Sequence, residues 1–487
     1  MHSWYIVFLT VLLIVAAYEF IVFVVYAARI ADTGVDGDHA LAIQRLQNLL
    51  RLPSLLGFGK DHVQLLIGDR LLFSRRYEEA IVVLKDLLMR APSRDTGRAR
   101  ELLADALDAV GRHPQAESER QMVLRLATEE PSNAVLWMSQ ANIAARQQRY
   151  QDAYKLYERA YHDPFSRLGL RPQLVGKLAL AAMNLGHPHD TIRWAEMGLK
   201  LGSGGALKGV YHRQAGTSYS NIGDLDAAAK HFNEAYAVAQ GSNDSSAAAQ
   251  SLAGLSGVQR NMGQFDAAIE NGRKALNLSS FARVANIYLF ETYMTLGRYD
   301  EARDTILYSG ESSTLTIPSN EKRSAAAMHL ALGRIHAETG HFDAALAELS
   351  LASPVFTELK MAAYCKCMAA WFQAGAGAKE TALTSMQEGA QMAERLSDSP
   401  GSQRDDYSML ARAALLLGEY DSALGYAGRL FARHPHPADL PQAHYLVGEA
   451  RRGLGDADAA RAAYQAGWAT GIRSVWMERI RERFGEI

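Results

Sequence analysis

The chain is nearly free of cysteine: Cys365 and Cys367 are its only thiols. They lie two apart in a segment that reads as helix, where such neighbours point to different faces, so a disulfide framework is excluded. Surplus charge is lacking too. With 51 Lys and Arg against 53 Asp and Glu the net charge is -2, which leaves no positive field to draw in nucleic acid. Proline is scarce, 13 in 487 residues, so little interrupts helix, and the 48% hydrophobic fraction suits a well-buried helical body.

Sequence signatures of catalysis are also missing. There is no phosphate loop of the form G-x-x-x-x-G-K-[ST], no H-E-x-x-H and no G-x-S-x-G elbow. Gly202-Ser203-Gly204-Gly205 lies between two helices rather than after a strand and reads as a connector. His187-Pro188-His189 and His434-Pro435-His436 each set two imidazoles in a turn. They lack further nearby Cys or carboxylate ligands, so they read as solvated turn residues rather than a metal site. Cys365 and Cys367 read as packed small residues rather than a metal or redox pair. The expectation is a protein with no cofactor and no catalytic centre.

One long apolar run is present. From Trp4 to Ala28 only Thr10 and Glu19 are polar, and at 1.5 Å per residue such a helix would span roughly 36 Å, enough for a tilted bilayer crossing. A cleaved leader is the rival reading, with Val25-Tyr26-Ala27 as its cleavage site, but Met1-His2-Ser3 carries no basic side chain and the run exceeds the ~7–15 residues of a leader core. Trp4, Tyr5 and Tyr26 bracket the span at headgroup level, and Arg29, the first basic residue, predicts that the rest of the chain is cytoplasmic. Glu19 falls inside the hydrocarbon, where it is either neutral or meets a polar group on another membrane helix. Residues 30–60 form a junction: a hinge at Gly34 and Gly37, then His39 to Leu52, with Leu41, Ile43, Leu46, Leu49 and Leu50 on one side. That helix either caps the body beyond residue 60 or lies along the membrane, and capping is the preferred reading.

Beyond residue 60 one phrase recurs: a turn glycine, an aromatic or leucine, an acid, then alanine. Clear copies are Gly223-Asp224-Leu225-Asp226-Ala227-Ala228, Gly263-Gln264-Phe265-Asp266-Ala267-Ala268 and Gly297-Arg298-Tyr299-Asp300-Glu301-Ala302. Anchoring each copy on its last residue gives Ala80, Ala116, Ala153, Thr191, Ala228, Ala268, Ala302, Ala345, Ala382, Ala423 and Ala460, spaced 34 to 43 residues apart. This is the period of a two-helix repeat. Twelve residues before each anchor, where two helices cross closely, stand Gly68, Ala104, Ala141, Ala179, Gly216, Ser256, Phe290, Gly333, Ala370, Ala411 and Gly448; only Phe290 is large. Trp137, Tyr157 and Ala160, and again Tyr219, Phe232 and Ala235, supply interlocking aromatics and a further small residue.

With these residues the sequence resembles the tetratricopeptide-repeat (TPR) proteins over about residues 61–470, most specifically in the fifth copy and least in the fourth and ninth, where Pro188 and Lys379 replace the turn aromatic. The resemblance implies an all-α, right-handed α-solenoid of about eleven helix pairs, preceded by one transmembrane helix at 1–29 and the junction at 30–60. Residues 471–487 form a capping segment whose helix, Val475 to Phe484, sets Trp476, Ile480 and Phe484 on one side.

In TPR proteins the first helices of the pairs line a groove that grips peptides or partner helices. The carboxylate clamp of chaperone-binding members is not matched, because Leu65 and Glu101 stand where its first-helix lysine belongs. Asn184, Asn221 and Asn261 recur two residues before the turn glycine and would be backbone-binding amides, as in the asparagine ladder of the O-linked N-acetylglucosamine transferase. The simpler reading is that asparagine ends helices well. Arg213, Arg260, Arg334 and Arg412 recur on first helices, and Tyr364 and Trp371 add aromatic anchors. As a groove these residues point to acidic or extended partner segments, although solvated arginines are the simpler alternative. The expected function is a membrane-anchored protein-binding scaffold, an assembly or regulatory factor of a bacterial envelope complex at the inner membrane. A holdase beside a translocon, or an accessory subunit of a polysaccharide synthase, are the rival expectations.

Overall fold

The computed structural model describes residues 39–52, 58–90, 96–129, 134–163, 171–201, 205–279, 283–311, 318–396, 404–433 and 435–484, with isolated residues between 13 and 27. Every regular element among them is helical. The helix α1 (His39–Leu50) is followed by α2 (Phe58–Phe73), α3 (Tyr77–Arg90), α4 (Thr96–Ala109), α5 (His113–Glu129), α6 (Ala134–Arg146), α7 (Tyr150–His162), α8 (Arg171–Asn184) and α9 (Pro188–Lys200). Next come α10 (Gly205–Ile222), α11 (Leu225–Gly241), α12 (Ser245–Asn261), α13 (Phe265–Leu278), α14 (Arg283–Thr295), α15 (Tyr299–Glu311), α16 (Pro318–Glu338) and α17 (Phe342–Ala352). The chain ends with α18 (Leu359–Gly375), α19 (Lys379–Glu394), α20 (Arg404–Leu417), α21 (Tyr420–Ala432), α22 (Leu440–Gly453), α23 (Ala457–Ala469) and α24 (Val475–Phe484). Two compact units result: Met1–Ser218 with Ala237–Asp244, and Tyr219–Tyr236 with Ser245–Ile487.

The repeat register is visible in the helix boundaries. Each anchor from Ala80 to Ala460 is the fourth residue of the second helix of a pair, and each has no exposed surface. The residues twelve earlier are all buried, so the small side chains do lie where helices cross. A Cβ added at Gly448 would stand 2.2 Å from the Tyr464 ring of the same pair. One at Gly254 would stand 2.2 Å from Phe232 of the preceding pair. Phe290, the exception, is buried beneath the Arg334 guanidinium, 5.3 Å from its ring centroid.

Between the two helices of a pair, the residue five before the anchor adopts a left-handed backbone. Glycine fills it at nine of eleven copies, for example Gly223 at φ 87° and Gly340 at φ 81°, while Arg75 and Gln148 stand there at φ 60°. Only glycine takes that conformation without a Cβ penalty. The two weak copies fold alike: Pro188 sits in the first turn of α9, where a missing N–H costs nothing, and Lys379 begins α19.

At the amino-terminal end, α1 buries Ala42, Ile43, Leu46 and Leu49 in one core with Val63, Ile67 and Leu71 of α2. Among the described residues no helix is long and apolar enough to cross a membrane. The apolar run lies mostly outside the described residues, and Trp4, Glu19, Tyr26 and Arg29 lie wholly outside them.

Candidate functional site

Directly after the small crossing residue comes a first-helix position that is charged, polar or aromatic in most copies. Eleven residues before eight of the eleven anchors stand Asp69, Asp105 and Asn142 in the first unit, and Glu291, Arg334, Trp371, Arg412 and Glu449 in the second, while Leu180, Thr217 and Gly257 stand before the other three. In the second unit four of these line one recess of about 750 Å³, counting its open mouth, together with Arg260, Glu338, Tyr364, Asp439 and Trp476. Five residues singled out in the sequence therefore meet: Arg260, Arg334, Tyr364, Trp371 and Arg412.

The arginines are not solvated. Arg412 donates two bonds to Glu338, Nη1 to Oε1 at 2.6 Å and Nη2 to Oε2 at 2.8 Å, and Arg479 of α24 reaches Oε2 of the same carboxylate at 3.3 Å. Arg334 forks onto Glu291, with Nη2 at 3.0 Å from Oε2. Arg260 lies 3.3 Å from Asp439 and donates to Thr295 Oγ1 at 3.4 Å. The sequence predicts arginines offered to an acidic partner, whereas each is held by an acid of its own chain.

Burial opposes ionisation of Glu338 and Glu291, yet the facing guanidinium groups of Arg412 and Arg334 hold both carboxyls below their ordinary pKa. Burial also lowers the Arg412 pKa, and Glu338 opposes that. Such a pair contributes little net stability when intact but is costly to break from one side. The Arg412 guanidinium also lies 3.6 Å from the Trp371 ring centroid and 5.1 Å from that of Trp476, and Arg479 lies 4.3 Å from Trp476. These are cation–π distances. The recess is thus suited to planar aromatic and guanidinium groups.

The remaining candidates lie elsewhere. Asn184 and Asn261 are the last residues of α8 and α12, and Asn221 the last but one of α10. Asn184 donates back to the Leu180 carbonyl at 2.9 Å and Asn261 accepts from Arg260 at 3.1 Å, as helix-ending residues do. Arg213 belongs to the first unit, where burial lowers its pKa and Asp244 opposes that. Glu291, Glu338, Asp439, Arg479 and the inward position of Trp476 escaped the sequence reading. The run of acid, base and indole eleven residues before successive anchors would have found Glu291 beside Arg334, Trp371 and Arg412.

Cys365 and Cys367 are buried free thiols. Burial pushes Cys365 up to about 11 and Cys367 higher still, so at neutral pH they are protonated packing residues and poor nucleophiles. Among the described residues no three His, Cys, Asp or Glu side chains converge as a metal site.

Comparison with known proteins agrees with the helix pairing. Tetratricopeptide-repeat models match residues 209–280 and 408–468. A Rap protein complexed with competence and sporulation factor superposes with TM-score 0.50 at 14% identity, covering 72% of this chain and 98% of that one. A tetratricopeptide repeat protein from Parabacteroides merdae (TM-score 0.38, 14% identity, 56% and 95% covered) and a human IFIT1 dimer with PPP-AAAA (0.46, 14%, 91% and 94%) are more distant in shape. No match was found among curated proteins. Residues 209–280 and 408–468 of this chain are tetratricopeptide repeats, set in an all-helical fold of that kind.

Proposed function

We propose that the chain is a scaffold that binds segments of other proteins in the recess of its second unit, with no chemistry of its own. The observation that carries this is the recess itself: Tyr364, Trp371 and three paired arginines on the first helices α12, α16, α18 and α20. Aromatic and arginine side chains dominate interface energetics, and an array of helix pairs offers them on a rigid frame. The reading takes the array as a right-handed solenoid of about eleven pairs. It takes the apolar run 4–28 as a single membrane anchor at a bacterial inner membrane, with Arg29 keeping the repeats in the cytoplasm and Glu19 available to a second membrane helix. An assembly or regulatory factor of an envelope complex fits these parts.

A photo-crosslinking amino acid at position 364 should trap a discrete protein in cells, and Trp371→Phe, which keeps a ring in this buried position, should weaken that adduct while leaving the parental helical content. A probe at Val82, exposed on the first unit, serves as control. If both positions trap the same set of proteins, the recess is not the binding site. A reporter fused after Ile487 that works only outside the cytoplasm would overturn the orientation.

A further inference from the structure

The recess is partly filled by the chain's own end. After α23 the backbone turns at Gly471, φ 66°, and the next residues return to the first pairs of the same unit. Ile472 covers the turn glycine Gly263, its methyl carbons 3.0 to 3.3 Å from where a Cβ would be, and Val475 covers Gly297 at 3.3 to 3.4 Å. The equivalent glycines Gly340, Gly377, Gly418 and Gly455 have nothing within 4 Å, so the cover belongs to these two turns and not to the repeat. Arg473 lies 3.1 Å from Asp266, 207 residues away in sequence.

The helix α24 then divides its residues between two tasks. Ile480 packs on Gly467 and Tyr464 of the preceding pair, and Phe484 meets Trp468 edge to face at 6.0 Å; a terminal cap needs these. Trp476 and Arg479 do something else. Trp476 lines the recess with the Arg412 guanidinium between it and Trp371, and Arg479 supplies Glu338 with its second cation.

We infer that the segment Ile472–Arg479 is an intramolecular ligand of this recess, and that the partner fitting the same face is a helical segment with an aromatic residue followed three positions later by arginine. The inference rests on the reading of the recess as a protein-binding site. Charge supports the partner's sign. Arg260, Arg334 and Arg412 on the walls are matched by Glu291, Glu338 and Asp439, so withdrawal of Arg479 leaves no cation without an acid, while Glu338 loses a donor. An acidic segment would face three carboxylates already committed to arginines. A basic, aromatic one replaces what leaves. Because the tail is tethered, its effective concentration is high, and it weakens a competing segment by the fraction of time the recess is closed.

The test uses the full chain in detergent and a fluorescent synthetic peptide of residues 470–487. The double variant Trp476→Ala/Arg479→Ala, which keeps Ile480 and Phe484, should bind the peptide at least about tenfold more tightly than the parent, and adding Glu338→Gln should remove most of that gain. Equal affinity of parent and double variant, or no binding to a double variant with parental helicity, overturns the inference. A second measurement needs no variant: excess unlabelled peptide should speed amide exchange of residues 472–479 in the isotopically labelled parent chain, and unchanged protection at saturating peptide overturns the inference as well. Trapping at position 364 decides the underlying function separately. If the adduct forms but the peptide never competes, the recess is a binding site without a latch; if the peptide competes but no adduct forms, the scaffold reading falls and with it the partner half of the inference, leaving only the contact of the segment with its own recess.

Discussion

The two units place polar side chains at the same point of the repeat and bury them differently. In the first, Glu101 is the hub: Arg98 lies 3.1 Å and Arg146 4.0 Å from it, Asn142 donates to it at 2.7 Å, and Tyr157 donates to Asn142 at 2.5 Å. Each arginine there has a second acid, Asp69 for Arg98 and Asp105 for Arg146. In the second unit the acids serve the arginines one carboxylate at a time, and an aromatic ring stands beside Arg412, Arg479 and Arg334, indole for the first two and the Phe290 phenyl for the third. A cation shared between two acids tolerates the loss of either. One that relies on a single carboxylate and a ring does not.

The largest test of this contrast is to remove the hub acid of each unit. Glu338→Ala strands Arg412 and Arg479 in a covered site and should lower unfolding free energy by about 3–5 kcal/mol. Glu101→Ala leaves both arginines an acid and should cost less, about 1–3 kcal/mol, mainly through the orphaned amide of Asn142. Urea titration of both variants measures the gap, and equal losses would break the comparison. The acid limb gives the same answer by another route. The pKa of Glu338 is lowered in the folded state, so its contribution is full above the unfolded value near 4.3 and fades as pH falls through the folded value. Glu338→Ala should therefore flatten the loss of stability below about pH 4.

A middling effect tests what the units share. Ala228 and Ala268 in the second unit and Ala153 in the first are wholly buried anchors, and Ala268 also offers its carbonyl to Ser256 Oγ at 2.7 Å. Replacement of any of them by leucine overpacks a helix crossing and should cost about 1–3 kcal/mol. Limited proteolysis should then cut the altered unit first, since neighbouring pairs depend on one another. Parental melts for Ala228→Leu and Ala268→Leu would mean that the register is wrong.

The register was legible because its causes are local. A left-handed turn demands glycine at residues such as Gly223, and a close crossing demands a small residue at Ala104 or Gly448, so both leave fixed marks in sequence. The helix Val475–Phe484 was legible from its apolar side. What that helix does was not, because Arg479 meets Glu338 across 141 residues and Arg473 meets Asp266 across 207, and no spacing rule reports such pairings. The arginines were found without their acids for the same reason: a side chain's type is local information, whereas its partner is set by how successive pairs stack. Asn184 and Asn261 show the converse. Each is the last residue of its helix, a place that the turn spacing repeats by itself.

The smallest expected effect concerns Lys177 of α8, which has no counterpart in the second unit. It is exposed, yet surrounding protein lowers its pKa, partial desolvation first, with Arg98 and Arg146 adding to that and Glu101 and Asp69 opposing it. A lysine whose folded pKa is depressed below the unfolded value of about 10.4 opposes folding while charged. The cost is present at neutral pH and vanishes above the unfolded value. Lys177→Gln should then raise stability slightly at pH 7, within about 0.5 kcal/mol because the group keeps solvent contact. The gain should disappear by about pH 11. Paired thermal melts of parent and variant at the two pH values give the answer. A loss of more than about 1 kcal/mol at pH 7 would mean that Lys177 completes the network around Glu101 as Arg479 completes that around Glu338, and the two units would then bury their charges by one rule.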